Sequence, residues 1–404
     1  MNGEYSERLN DKDRQKWEPR DPHEWLEIDP LLGAFRRSEI LTPNVEADAV
    51  SFHHAWSRLP GAMRSQVLRE REIAAALVRA LPEWRETVAG LSSVGVGIRG
   101  RREPELTAVF SVERELSDRE CSEIRERWSK RAAVESYAPE FKDAKPVPCV
   151  VEVRPIPTLL GKVPSGGFLF GEPDPTPHNA PVLQSGDRIG SESPIGIREY
   201  GTLTCLVSAA GSTVPLLLGS EHVFRQVGYD VLNGQTIPKR IGKVKKVWPA
   251  TDVALAELSS PYLCDYRFKG PDMVPAAPVI ATGDMPVQMY GAKSGHQLGY
   301  LNQAVQIPAN ASAAGIFPMF AVTIQCAHGD SGALLVTGNG TEPAVPMWQR
   351  KHMSSEYLDS LTCAMLGVLK AGSPPGADPS VRPQAYFIPM LQVLNELGVE
   401  AWVR

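Results

Sequence analysis

The chain has 404 residues, a formal net charge of −5 and 43% hydrophobic residues. That balance excludes a nucleic-acid binder recognisable by net charge, and it excludes wholesale disorder. No run approaches the roughly 18 apolar residues of a membrane-spanning helix. Met1 to Arg20 is polar and charged, without the apolar core of a secretory leader. The expectation is therefore a cytoplasmic protein of two or three domains, with no membrane and no nucleic-acid partner. The six cysteines (Cys121, Cys149, Cys205, Cys264, Cys326, Cys363) never form a Cys-x-x-Cys pair. They are expected to be buried free thiols, with no metal site and no cofactor.

Composition changes along the chain. Residues 1–150 hold 24 basic and 27 acidic residues, against 18 and 20 in the remaining 254. Glycine moves the other way, with 7 before residue 151 and 27 after it. The first part reads as helix-rich and solvated, the second as a β domain with many turns. Residues 1–90 form a charged, helix-rich extension. Its first 60 residues carry Trp17, Trp25 and Trp56 but little periodicity. Residues 63–89 show helical spacing of Val67, Ile73, Ala74, Leu77, Val78 and Leu81.

Residues 91–153 read as a small α/β module. Val94, Val96 and Ile98 alternate as in a strand, and Leu106–Val112 reads as a second strand. Ser117 opens a helix with Asp118 and Glu120 in its first turn and Lys130 and Arg131 near its end, matching the helix dipole. Val147–Val153 reads as a third strand. Gly95, Gly97 and Gly100 match a dinucleotide-binding G-x-G-x-x-G. They lie within the alternating pattern, and Pro104 opposes a following helix, so a glycine-rich strand and turn is the better reading. Residues 154–199 are rich in proline and glycine and read as a linker or long wrapping loop.

The chemistry-bearing residues lie in 200–404. Ser331 sits in Cys326-Ala327-His328-Gly329-Asp330-Ser331-Gly332, just before the apolar run Ala333–Val336. Glycines on either side permit a sharp turn, and the amides of Gly329 and Ser331 could converge on one point, as an oxyanion hole requires. Serine needs a base, and the base needs an orienting carboxylate. His222 follows the apolar run Leu216–Leu218, and Asp252 leads into Val253–Leu258. Asp230 and Asp265 are competitors for the acid, but neither heads an apolar strand.

In this order, and with these surroundings, the sequence resembles the trypsin-like serine peptidases of the chymotrypsin fold, in particular an intracellular bacterial-type branch with plant relatives. Gly201–Val207 looks like that branch's first barrel strand. Gly291-Ala292-Lys293-Ser294-Gly295 resembles a turn of its second barrel. Leu366–Gly372 looks like the strand lining its substrate pocket, and Ile388–Val399 like its closing helix. The module at 94–153 is similar to one preceding the peptidase in this branch. The resemblance implies a mainly β fold, a double six-stranded β-barrel with His222 and Asp252 in the first barrel and Ser331 in the second.

It further implies Ser331 as nucleophile, His222 as general acid and base, Asp252 as orienting acid, and the Gly329 and Ser331 amides as the oxyanion hole. The substrate pocket would be bordered by Gln325, His328, Lys370 and Gly372. Gln325, six residues before the nucleophile, would stand at its base, and carrying no charge it predicts no strong preference for basic residues. Relatives activated by cleavage pair a new N-terminus with the Asp before the serine. Arg188-Ile189-Gly190 could supply such an end for Asp330, although intracellular relatives do without it. The sequence departs from secreted trypsins at Ser220-Glu221-His222-Val223, where no cysteine braces the histidine.

The implied activity is endopeptidase cleavage of a protein or peptide substrate through an acyl-enzyme, regulated by residues 1–90 or by a protein partner bound there. Two other readings stay open: a catalytically silent protease-fold scaffold, and a protease that cuts its own linker. The segment from Gly338 to Leu361 reads as an inserted loop.

Overall fold

The computed structural model describes residues 19, 21–37, 45–56, 59, 61–99, 105–134, 147–154, 158–159, 182–235, 238–249, 251–260, 264–269, 275, 278–309, 319–338, 363–373 and 383–402. The inserted loop read beyond Gly338 lies outside the described residues, as does most of the stretch from 155 to 181. No described helix is long and apolar enough to cross a membrane.

Two short helical turns, Pro22–Glu24 and Trp25–Ile28, open the described chain, and three further described helices lead to the first strand: α1 (Pro30–Arg36), α2 (Val45–Trp56) and α3 (Gly61–Thr87). Asp29 caps α1 by accepting from the amides of Leu31 and Leu32, and Pro30 supplies the fixed φ suited to a first turn. The buried Asp29 is also paired with Arg71 of α3. Arg71 lies over the Phe52 ring at 4.1 Å, so one guanidinium ties all three helices together.

The module follows as β1 (Leu91–Arg99), β2 (Glu105–Val112), α4 (Asp118–Val134) and β3 (Cys149–Val153). Its helix begins where the sequence indicates. Ser117 Oγ accepts from the Glu120 amide while Glu120 accepts from the Ser117 amide, a reciprocal capping box. β1 and β2 pair antiparallel, β2 and β3 parallel. Trp84, Phe110 and Trp128 fill the space between the sheet, α3 and α4.

The stretch read as linker contains sheet. β4 (Thr158–Leu159), β5 (Leu183–Ser185) and β6 (Arg188–Glu192) are strands, and β7 (Arg198–Thr202) begins just before residue 200. In β6 and β7 it is glycine that hid them. A Cβ on Gly190 would stand 2.4 Å from the Glu199 carbonyl, so close pairing of β6 and β7 demands glycine there.

Next come β8 (Cys205–Ala209), β9 (Leu216–Ser220), the short turn α5 (Glu221–Phe224), β10 (Asp230–Asn233), β11 (Arg240–Trp248), β12 (Val253–Leu258) and β13 (Cys264–Phe268). They are followed by β14 (Pro286–Gly291), β15 (Gly295–Pro308), β16 (Met319–Val322), β17 (Leu334–Thr337), β18 (Met365–Gly372), β19 (Ala385–Pro389), α6 (Met390–Leu397) and β20 (Val399–Ala401).

The first half forms an eight-stranded sheet in the order β20-β8-β9-β12-β11-β10-β6-β7, with β5 and β13 paired separately. Ile189, Leu206, Leu217, Val231, Val244 and Ala254 of its strands form one buried cluster with Phe224 of α5. In the second half β14, β17, β18, β19, β16 and β15 pair in succession, and β14 pairs back onto β15, so six strands close into a barrel. The chain is thus mainly β, with its longer described helices in the first 134 residues and α6 near residue 390.

Two features tie the N-terminal part to this barrel. β15 runs out of the barrel and pairs with β1, so the module's sheet is continuous with it. Gly95 and Gly97 are strand residues of β1, and a Cβ on Gly95 would lie 2.7 Å from the Val305 carbonyl of β15. The dinucleotide-like spacing is therefore a record of close strand contact. The helices, meanwhile, bury Trp25, Phe52 and Trp56 in one apolar cluster with Met285, Val287 and Phe320 of the barrel. Ser51 of α2 donates to the Leu391 carbonyl of α6 (3.2 Å). The N-terminal helices are packed structure.

Candidate active site

β9 and β12 are antiparallel neighbours with Ser220 opposite Val253. The residues just past β9 and just before β12 therefore meet. His222 is in the α5 turn, and Asp252 adopts φ 55°, a left-handed conformation that aspartate tolerates better than most residues. His222 Nδ1 lies 2.8 and 2.9 Å from the two Asp252 carboxylate oxygens. The His222 amide donates to the same carboxylate (3.1 Å), and the Glu221 amide donates to the Asp252 carbonyl (3.1 Å). With the carboxylate as acceptor, Nδ1 carries the proton of the neutral ring, and Nε2 is left with its lone pair.

Ser331 occupies the turn between β16 and β17. Gly329 and Gly332 on either side adopt φ +106° and +87°. The turn is sewn to both halves of the molecule. Thr202 donates its amide to the Ser331 carbonyl (2.8 Å) and its hydroxyl to the Gly329 carbonyl (2.9 Å). The Gly332 amide donates to Leu369 of β18 (3.1 Å), and the Leu369 amide donates to Ala333 (3.0 Å). A Cβ on Gly332 would lie 3.2 Å from the Ser220 amide nitrogen, so this turn rests against the residue two before His222.

Ser331 Oγ and His222 Nε2 are both buried, and among the described residues neither makes a hydrogen bond. A buried polar atom without a partner costs on the order of 1–3 kcal/mol, so each of these two atoms is available to a ligand or a reaction. Among the described residues the amides of Gly329 and Ser331 also donate to nothing.

The buried carboxylate of Asp330 holds the turn. It accepts from the amides of Lys293 (2.9 Å), Ser294 (3.0 Å) and Ala327 (2.8 Å). A Cβ on Gly291 would lie 2.3 Å from it. The glycine-bounded turn at 291–295 is thus a cradle for Asp330, a role that sequence reasoning missed although it had singled out the turn. Ile189, considered above as an activating end, is buried in β6 opposite Gly201 and Asn233, while Asp330 has its partners elsewhere.

The four residues assigned to the substrate pocket lie on two segments, the loop after β16 and the end of β18. Gln325 is exposed on the loop after β16, and His328 is half-buried. Gly372 ends β18 and is buried. Lys370, one residue beyond Leu369, is 5% exposed. Burial pushes its ammonium down, and the carboxylates of Asp252 and Glu221 push it back up, so Lys370 lies within electrostatic reach of the acid that holds His222. Burial also raises the half-buried Glu221 carboxyl, as does Asp252. The Cys326 thiol is pushed up to about 12, chiefly by burial and also by Asp330. That leaves it protonated near neutral pH, a poor competitor of Ser331 as nucleophile.

Solved structures with a similar course of chain are trypsin- and chymotrypsin-fold serine proteases. Protease A of Thermobifida fusca matches at 14% identity and a TM-score of 0.37, over 55% of this chain and 100% of its own. A Nocardiopsis protease matches at 14% and 0.38, over 55% and 99%. A Cellulomonas bogoriensis chymotrypsin matches at 14% and 0.36, over 54% and 97%. No family model and no curated protein sequence matches the chain.

Proposed function

We propose that the chain is a serine endopeptidase working through Ser331, His222 and Asp252. The observation that carries this reading is that Ser331 Oγ and His222 Nε2 are both buried and unpartnered among the described residues, on turns that meet where Gly332 packs against Ser220. His222 Nε2 would take the hydroxyl proton as Oγ attacks a peptide carbonyl. The developing oxyanion would accept from the two amides. The imidazolium, held by Asp252, would then protonate the leaving amine, and water would hydrolyse the acyl-enzyme by the reverse sequence. The Oγ···Nε2 bond has to form as substrate closes the site, as is common where a free site is looser than the reacting one.

The test is labelling by a small fluorophosphonate, with Ser331→Ala alongside. Labelling of the parent and not of the variant is expected, together with a loss of peptide hydrolysis on the order of a million-fold in Ser331→Ala. No labelling of either protein would favour the silent-scaffold reading and overturn this one.

A further inference from the structure

β18 has two edges. β19 takes one of them along Leu369, Ala371 and Gly372. β17 takes the other, with Leu334 opposite Val368, and beyond the bonds between Leu369 and Ala333 it leaves that edge as the Ser331 turn. Past Lys370 the same edge is taken up again by β4, antiparallel, with Leu159 opposite Ala371 and Thr158 opposite Gly372. β4 and β17 thus share one edge of β18, and the nucleophile's turn lies between them.

The direction of β4 is fixed by its register. Passing from Thr158 to Leu159 moves along β18 from Gly372 to Ala371, toward Leu369 and the residues next to Ser331. The separation between Ala371 and Leu369 is two residues, about 7 Å of strand. An extended peptide to be cut at Ser331 has to deliver its carbonyl to that turn. A free sheet edge leading into it is where such a peptide would gain main-chain hydrogen bonds. β4 lies on that edge.

We propose that Thr158–Leu159 is a tethered peptide ligand of the site, occupying in cis the edge of β18 that would hold the acyl side of an extended peptide substrate. This rests on the peptidase reading above and adds its regulation: substrates supplied in trans must displace a strand of the protein itself. A tether of this kind presents its segment at an effective concentration of about a millimolar, enough to exclude weakly bound peptides.

The test uses a fluorescein-labelled peptide of sequence Ile-Pro-Thr-Leu-Leu-Gly, matching residues 156–161, titrated into the full chain carrying Ser331→Ala so that nothing is cut. The same titration is made on that chain with Thr158→Pro and Leu159→Pro added. Proline removes the amides that a paired strand donates. The expected result is at least tenfold tighter binding to the proline variant. Equal or weaker binding overturns the proposal. If the proline pair prevents folding, Thr158→Gly with Leu159→Gly, which weakens a strand without barring it, is read in the same way. In parallel, chains retaining Ser331 are treated with the fluorophosphonate, which needs the nucleophile and not the strand edge. Labelling rates within twofold of each other are expected. Absence of labelling would sink the peptidase reading, while the peptide titration, needing no turnover, still judges β4.

Discussion

Asp330 shows how much of the site depends on one carboxylate. Both of its oxygens are committed to three amides, and those amides fix the two turns around Ser331. Asparagine offers one acceptor oxygen and turns an NH2 group toward a donor. Asp330→Asn should therefore lose on the order of 1–3 kcal/mol in urea unfolding and slow fluorophosphonate labelling at least tenfold. A variant that labels at the parent rate would mean that the cradle does not hold the oxyanion amides in place. Gly332 makes a second prediction of the same kind. Its φ of +87° disfavours any side chain, and a Cβ would stand 2.7 Å from the Thr202 carbonyl. Gly332→Ala should lower the melting temperature by several degrees, with a cost of about 1–2 kcal/mol from the backbone alone. The glycines, the serine and the histidine were legible because a sharp turn and an activated hydroxyl restrict residue choice at those positions. That Lys370 lies within electrostatic reach of Asp252 was not, because nothing in a local sequence window says which carboxylate a buried lysine will approach.

Among the elements, α3 carries a buried carboxyl with a measurable consequence. Glu70 accepts from Gln66 (2.8 Å) and from the Gly283 amide (3.2 Å), which favours its charged form. Burial outweighs both and raises the carboxyl from 4.5 to about 7. The folded protein then holds a proton that the unfolded chain has lost. Stability should fall as pH rises from about 4.5 to about 7, and the penalty should persist above that range. Glu70→Gln keeps an acceptor for the Gly283 amide and removes the charge. It should gain up to about 3 kcal/mol over the parent at pH 8 and nothing at pH 4, read by urea unfolding at the two pH values. Equal stabilities at pH 8 would refute this.

The elements also differ in how far they could be read in advance. The helix after Ser117 was legible from that serine and its charge order, and the strands of the module from their apolar runs. β6 and β7 were not. They are short, and the glycines that let them approach carry no periodic signal. Nor could the sequence around Gly95 reveal that its partner was β15, since strand pairing over such a distance leaves no local trace beyond the glycines themselves.

The molecule as a whole does not divide at the compositional boundary near residue 150. Its charged first part contributes Trp25, Phe52 and Trp56 to a core shared with the second-half barrel. Removing residues 1–60 would uncover Met285, Val287 and Phe320. The expected outcome is aggregation or a melting temperature lowered by more than 5 °C or so, rather than release of an active peptidase domain. A truncated chain that melts like the parent and labels faster would show that these helices restrain the site without supporting it. The second half also depends on its C-terminal end. α6 bonds to α2 through Leu391, and Glu396 of α6 hydrogen-bonds Thr251, the residue before Asp252. The acid of the proposed triad is thus connected to the N-terminal helices through one short helix.

The continuity of β1 with β15 also bears on how the protein is made. Ser93 and Gln306, whose side chains are hydrogen-bonded across that pairing, are 213 positions apart. A ribosome translating at roughly 5–20 residues per second would need about 10–40 s to span that interval. Throughout it the module would carry an uncovered β1 edge lined by Val94 and Val96, whose apolar neighbours Val305 and Ile307 do not yet exist. An exposed strand edge in a nascent chain is an invitation to pair with another copy. Pausing, chaperone capture and the spacing of chains on a polysome should therefore affect the yield of this protein more than that of a protein whose early domain closes by itself.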